Sequence, residues 1–539
     1  MAWTKERLEA IAGTRLGSAK LIVVSNREPY IHRNLPGGEV ECIRPAGGLT
    51  TALDPVMRAC GGVWVAHGSG NADRRTADSR GHIGVPPGDP SYLLRRVWLT
   101  PEDEAGYYYG FSNGSLWPLC HQVYCRPSFS PDHWEAYKRV NEQFAAAVLQ
   151  EAGKGPAVVF VQDYHFALLP KLLKAARPDL VVAHFWHIPW PNPETFRVCP
   201  WASEILQGML GNDLLSFHTQ YHCNNFLETV DRTLECRLDR EHFGVTSGGR
   251  HCRVRPFPIS VDPELAETYL GDDWEQRAAG LRQRHGLGDL PVLVGVDRVD
   301  YTKGIPERLA AVNRLLVRHP EWKGRFHFLQ AGAPSRTDLP EYRDLNIRVA
   351  ELTETINREH GTPDWKPVVF LNEHFGLEDI TLLYRMAAGC VVSCLHDGMN
   401  LVAKEFVTSR PDEGGALVLS RFTGAASELT DAVLVNPFDV DELADALLTA
   451  LTMSPDEQRR RMRRMRKQVA DHNIYRWAGM LLSEAAKLVD EPLDELEPEI
   501  SPEPDIKTES EIEEIDSQEV NGMIASATAL SLIHLMGAS

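Results

Sequence analysis

Pro256-Phe257-Pro258-Ile259-Ser260-Val261-Asp262-Pro263-Glu264-Leu265 decides the fold. Three prolines within ten residues cannot continue the interior of a helix or a central strand, so the chain breaks here. On both sides short apolar runs alternate with helical patterns. Before the break lie Leu21–Ser25, Ala157–Val161, Val181–Trp186 and Asp213–Phe217. After it come Val292–Val296, Arg325–Gln330, Val368–Leu371, Cys390–Ser393, Ala416–Leu419 and Ala432–Val435. Their apolar residues are nearly continuous, as in strands buried on both faces. Ile305, Leu309, Val312, Leu315 and Leu316 then repeat at helical spacing. Strand–helix alternation of this kind predicts parallel sheets in an α/β fold.

Because the pattern restarts after the break, two doubly wound Rossmann-like domains are expected, with ligands in the cleft between them. A single TIM barrel would not predict that restart. The expected division is an extension over 1–19, a first domain over 20–262 and a second over 263–489. A final long helix, about 455–489, is expected to pack back across the first domain. Residues 490–539 read as an acidic, disordered tail. From Asp490 to Glu519 there are fourteen acidic residues against Lys507 alone, so this segment carries −13 of the net −19. The rest of the chain carries the remaining −6, an ordinary balance, and nucleic acid is not an expected partner. Met523–Met536 is mildly apolar and reads equally as a short docking helix or a loose end.

No stretch offers the roughly 20 apolar residues that span a bilayer, and Met1–Lys20 has no leader-like apolar run. The ten cysteines are scattered without a CxxC pair. His218, His222 and Cys223 lack a second cluster, so free thiols in a reducing cytoplasm are expected, with no metal and no membrane. The run Arg459–Lys467 is basic, but its helical spacing reads as a solvated face.

Polar residues cluster directly after the strands, where α/β folds bind ligands. Arg27 follows the first strand, Asp163 the second and His187 the third. Later strands end in Arg298 with Lys303, in Arg336, and in Asp397 before a helix opening Leu401-Val402-Ala403-Lys404-Glu405. A departing diphosphate needs cations and backbone N–H groups aimed at its growing charge. Arg298 and Lys303 would supply the cations and that helix opening the dipole. Glu405 would accept from ribose hydroxyls, and Gly47-Gly48 would let backbone approach the phosphates. Taken singly, each residue has a structural reading, from turn glycine to helix cap.

At these residues the chain resembles the trehalose-6-phosphate synthase family, retaining glycosyltransferases of GT-B architecture. The matching motifs are SNR (25–27), GGL (47–49), Tyr108 to Pro118, DYH (163–165), HIP (187–189), RVDYTKG (298–304), DGMNLVAKE (397–405) and SRFxGAxxEL (420–429). They stand in the family's order and cover about 20–480.

The resemblance implies glucose transfer from a nucleotide sugar to glucose 6-phosphate, giving α,α-trehalose 6-phosphate. UDP-glucose is the family default as co-substrate, ADP- and GDP-glucose stay open, and no further cofactor is implied. Arg298, Lys303, Asp397 and His187 would be catalytic. Gly47, Gly48, Phe375 and Leu401–Glu405 would join Arg298 and Lys303 on the donor, while Arg27, Tyr108, Trp117, Asp163 and Arg336 would hold the acceptor. Guanidinium groups suit a phosphomonoester because they bind it bidentately.

Two positions depart from the family: Gln162 stands where His is common, and His396 where Arg is common. A histidine at 396 would be expected to titrate near neutrality. The rivals are a glucosylglycerol-phosphate synthase acting on glycerol 3-phosphate, which would not need all of Arg27, Tyr108, Asp163 and Arg336, and an inactive sugar-phosphate sensor. A homo-oligomer is compatible with the sequence, which leaves assembly open.

Overall fold

The computed structural model describes residues 3–45 and 48–490. The acidic segment and Met523–Met536 lie outside the described residues, and so do Ala46 and Gly47.

Eighteen strands are present among them. In the first half these are β1 (Lys20–Arg27), β2 (Ile31–Asn34), β3 (Val40–Ile43), β4 (Val63–His67), β5 (His82–Val85), β6 (Tyr92–Val97), β7 (Ala157–Gln162), β8 (Val181–Phe185), β9 (Leu214–Phe217), β10 (Arg237–Asp239), β11 (Gly244–Ser247) and β12 (Arg250–Pro256). The second half contributes β13 (Val292–Arg298), β14 (His327–Ala333), β15 (Val368–Leu371), β16 (Gly389–Val392), β17 (Ala416–Ser420) and β18 (Val433–Val435).

Two sheets result, as the interrupted pattern predicts. The first runs β10-β11-β12-β9-β8-β7-β1-β4-β6-β5, parallel from β12 to β6 with antiparallel edges; β2 and β3 pair separately as a hairpin. The second is wholly parallel, in the order β15-β14-β13-β16-β17-β18. Both are doubly wound. The chain reverses its direction of strand addition between β1 and β7 in one sheet and between β13 and β16 in the other, and such switch points open a crevice at the strands' carboxyl ends.

The continuous apolar runs explain the layering. In β1, Leu21 and Val23 join one core while Ile22 and Val24 join the core on the opposite face. In β13, Val292, Val294 and Val296 face one core and Leu293 the other. All ten predicted strand segments are strands, Val368–Leu371 with the same bounds and the other nine with shifted ends. The Arg325–Gln330 segment starts two residues later and runs to Ala333, because Arg325 donates its N–H into a turn at Trp322.

The proline-rich break is the crossing between sheets. Ile259 and Val261 are buried there. Lys404 Nζ donates to the Ile259 carbonyl at 2.7 Å, and Ile474 N donates to Val261 O at 3.1 Å. The single helix expected over 455–489 is instead two, Pro455–Asp471 and Ile474–Asp490. Asn473 separates them, its Oδ1 accepting from Arg476 N at 3.1 Å as a new N-cap. The second of these helices packs on helix Lys5–Arg15, with Trp477 against Phe160 of β7 and Phe185 of β8. In the basic run, Met462 and Met465 are buried while Arg463 and Arg464 pair with Glu413 and Asp431. No described helix is long and apolar enough to cross a membrane.

Candidate active site

The carboxyl ends of both sheets line one cleft of about 490 Å³. Arg27 closes β1, Asp163 follows β7, and His187 and His218 follow β8 and β9. From the other side come Arg298 at the end of β13, Arg336 after β14, and Asp397 after β16.

Tyr108 reaches the cleft on an unusual support. Residues Ala105–Leu116 are wound as a π-helix, and Trp117 opens the short helix that follows. Asn113 Nδ2 donates to the Tyr108 carbonyl at 2.8 Å, which reinforces the wide turn. Gly106 and Gly110 let this segment lie against helix Pro131–Ala152; a Cβ on Gly106 would stand 2.6 Å from that of Ala136. π-turns of this kind recur at functional sites.

Around Tyr108 the charge is cationic. Arg27 Nη2 donates to its hydroxyl at 3.4 Å. Burial pushes the phenol up, but Arg27, Arg336 and Arg298 more than offset this and bring it down to about 7. Arg336 lies 4.3 Å over the Trp117 ring and 3.2 Å from Asp300. Its buried Nε and the Trp117 Nε1 have no acceptor among the described residues. Buried donors are normally satisfied, so these two suit a ligand rich in acceptors.

Asp163 sits at φ 68°, in the left-handed region, as the first-sheet chain turns out of β7. Its Oδ1 accepts from Tyr164 N at 3.0 Å and His187 N at 3.2 Å. Burial nevertheless raises its carboxyl to about 7. Burial also lowers the His187 ring to about 3, leaving it neutral.

The opposite wall is firmly ionised. Lys303 Nζ lies 2.5 Å from Asp397 Oδ2, and Asn400 Nδ2 donates to the same oxygen at 3.3 Å. Burial opposes both charges, yet Lys303 is held well above the usual lysine range and Asp397 well below the carboxylate range. Arg298 differs: no carboxylate lies within ion-pair distance among the described residues, and burial, Arg336 and Arg27 all lower it. Its guanidinium stands 5.6 Å over Trp117.

Helix Leu401–Thr408 starts in the cleft, its first turn capped by Asn400 Oδ1 on Ala403 N at 3.2 Å. Leu401, Val402 and Glu405 line the cleft. Ala403 and Lys404 do not, which corrects the expectation for their side chains: Lys404 turns away to Ile259 and an ion pair with Glu428. Burial raises Glu405 to about 7, against a 3.3 Å hydrogen bond from Tyr384. Gly48 meets this helix across the cleft; a Cβ there would come 3.1 Å from Leu401 Cδ1. Gly47 lies outside the described residues, and Phe375 lines the cleft.

Burial pushes the His396 ring below the ordinary histidine range. Its Nδ1 donates to the His121 carbonyl at 2.8 Å, joining the two walls. Sequence reasoning missed His218 and Tyr384. His218 directly follows a strand, the same signal that found the others, whereas Tyr384 sits inside helix Leu377–Met386 and gives none. Among the described residues, no group of three His, Cys, Asp or Glu is placed to hold a metal ion.

Comparison with known proteins agrees with this geometry. The profile of Glycosyltransferase family 20 matches residues 19–487. A trehalose-6-phosphate synthase of Mycolicibacterium gilvum is 40% identical over 505 residues, covering 90% of this chain and 98% of that protein. Among solved structures, an α,α-trehalose-phosphate synthase (UDP-forming) of Burkholderia xenovorans in complex with glucose-6-phosphate superposes with a TM-score of 0.78. It is 30% identical, covering 87% of this chain and 100% of its own. An Escherichia coli protein bound with UDP-2-fluoro glucose gives 0.76 at 30% identity, covering 87% and 99%.

Proposed function

This chain belongs to glycosyltransferase family 20, and on that premise we propose the roles its cleft residues play in making α,α-trehalose 6-phosphate. The chain is a retaining GT-B glycosyltransferase that moves glucose from a nucleotide sugar to glucose 6-phosphate. The observation that carries the reading is the meeting of two cation sets in one cleft. Arg298, Lys303 and Arg336 come from the second-sheet wall, and Arg27 faces them beside Tyr108 from the first.

UDP-glucose is the donor, as supported by the related protein that holds its fluoro analogue. Glu405 accepts from ribose hydroxyls, Gly48 and the opening of helix Leu401–Thr408 approach the diphosphate, and Phe375 and Val402 fill the nucleotide side. Asp397 and His187 hold the transferred glucose. Arg27, Tyr108 and Arg336 grip the acceptor phosphate, with Asp163 and Trp117 along its sugar.

Transfer takes place on the front face of the donor. The bond from glucose C1 to the phosphate oxygen breaks, and the acceptor's anomeric hydroxyl oxygen bonds to C1 on the same face. The acceptor proton passes to the departing phosphate oxygen. Arg298, Lys303 and the helix opening take up the developing charge, so no further cofactor is assigned. Asp397 is held ionised by Lys303, and Asp163 is raised by burial. That pairing suits sugar binding better than a double-displacement nucleophile with its acid. Ten unpaired cysteines support a reducing cytoplasm as the place of reaction.

The test is nucleotide release from UDP-glucose with glucose 6-phosphate and, separately, with glycerol 3-phosphate. Release with the first alone, weakened in Arg27→Ala and Arg336→Ala through acceptor KM, supports the assignment. Release with glycerol 3-phosphate alone overturns the acceptor. No release with UDP-, ADP- or GDP-glucose overturns the reaction.

A further inference from the structure

Gln162 ends β7 directly before Asp163, and its side chain is fully buried. Its amide stands between two groups of different kind. On one side Nε2 faces the Phe160 carbonyl at 3.5 Å; on the other Oε1 lies 2.9 Å from His187 Nε2. A carbonyl can only accept, so the amide must turn its NH2 toward Phe160 and its oxygen toward the imidazole. An oxygen without a proton then requires His187 Nε2 to carry one. Among the described residues His187 has no other side-chain hydrogen bond, which leaves Nδ1 as a lone pair on a ring that lines the cleft.

We propose that Gln162 is a positioning residue that fixes His187 as the Nε2–H tautomer, so that Nδ1 accepts a hydrogen bond from a hydroxyl of the transferred hexose. The inference rests on the placement of His187 against the donor sugar. The backbone holds the same ring from both sides: His187 N donates to Asp163 Oδ1 at 3.2 Å, and the His187 carbonyl accepts from His218 Nε2 at 3.0 Å. Gly398 packs so closely that a Cβ there would fall 2.1 Å from the His187 carbonyl oxygen. Ring position is thus set by β7, β8, β9 and the loop after β16, and the remaining freedom, the tautomer, is set by Gln162.

An amide also keeps the ring uncharged, whereas a carboxylate in its place would favour imidazolium. The titratable groups around His187 are His184 on β8, His165 and Asp163 after β7, His218 after β9, and Asp397 beside Gly398 across the cleft. Among them Asp397 is neutralised by Lys303.

The test begins with the full chain unchanged. Two-bond proton–nitrogen NMR on histidine-labelled protein, with the His187 signals identified by their loss in His187→Asn, reads the tautomer directly. The expected result is a protonated Nε2 and an unprotonated Nδ1 throughout the neutral range. The reverse tautomer or a mixture overturns the proposal whatever the variants do.

Gln162→Glu is expected to convert His187 to imidazolium near neutrality, and to add an ionisation to the pH profile of donor kcat/KM that the unmodified enzyme lacks. Gln162→Leu is expected to mix the tautomers and lower donor kcat/KM about tenfold, the scale of one lost hydrogen bond, with acceptor KM unchanged. A Gln162→Glu pH profile superposable on that of the unmodified enzyme overturns the proposal. Absence of glucose transfer by the unmodified enzyme would instead remove the functional reading, while the tautomer stays measurable.

Discussion

The two walls of the cleft hold their polar groups in different ways. On the first-sheet wall Tyr108 and Asp163 are both brought to about 7, and His187 is neutral. On the second-sheet wall Lys303 and Asp397 are locked as an ion pair, and Arg336 is matched by Asp300. Arg298 stands apart on that wall as a cation with no carboxylate within ion-pair distance among the described residues, Asp300 acting on it only from further off. A paired charge is paid for when the chain folds, while an unpaired one is answered only when an anion binds. The first kind of group fixes geometry, and the second supplies binding and transition-state charge.

The sharpest way to break this comparison is to remove one cation of each kind. Arg298→Ala should lower kcat roughly a hundred- to a thousandfold, the scale of one lost transition-state donor. Its stability in urea should stay within about 1 kcal/mol, since no protein charge is stranded. Lys303→Met should lose comparable activity and also about 3 kcal/mol of stability, because Asp397 is left buried without its partner. Equal stability losses would show that Arg298 has a structural counter-charge after all.

A smaller effect is expected at Glu405. Glu405→Gln should raise donor KM about ten- to a hundredfold, the worth of a hydrogen bond to a charged group, with acceptor KM unmoved in steady-state kinetics.

The first-sheet wall predicts a pH signature. Acceptor kcat/KM should rise toward pH 7 as Asp163 ionises and fall above it as Tyr108 becomes a phenolate facing the substrate phosphate. Tyr108→Phe should abolish the alkaline limb alone. An unchanged limb would assign it to another group.

The smallest effect concerns stability. The folded-state value of Asp163 lies above that of the unfolded chain, so its contribution is full below the ordinary carboxylate range and fades as pH rises through about 7. Asp163→Asn should therefore match the parent's melting temperature near pH 4 and exceed it by a few degrees at pH 8, measured by calorimetry without ligand.

Much of this arrangement was legible because strands buried on both faces leave continuous apolar runs, and because α/β folds put their chemistry at the next residues. Arg27, Asp163, His187, Arg298 and Arg336 were all found that way. β6 was hidden because Arg95 and Arg96 interrupt its apolar run. Arg96 is buried nonetheless, through ion pairs with Glu28 and Asp73. The outward turn of Lys404 follows from the helical period, which puts it off the arc shared by Leu401, Val402 and Glu405. The break at Asn473 had a local signal that the long apolar period masked: Asp471, His472, Ile474 and Tyr475 are all poorer helix formers than most of the residues before them, and asparagine is a preferred N-cap. The amide of Gln162 could be seen as a departure from the family, but its orientation depends on a carbonyl that only the folded chain brings near.

The most direct measurement is carbon and proton NMR of the product formed from UDP-glucose and glucose 6-phosphate. The predicted result is a disaccharide phosphate joined through both anomeric carbons, each in α configuration, formed in step with UDP release. A β linkage at the transferred glucose, or a bond to any other hydroxyl of the acceptor, would contradict front-face transfer in this cleft.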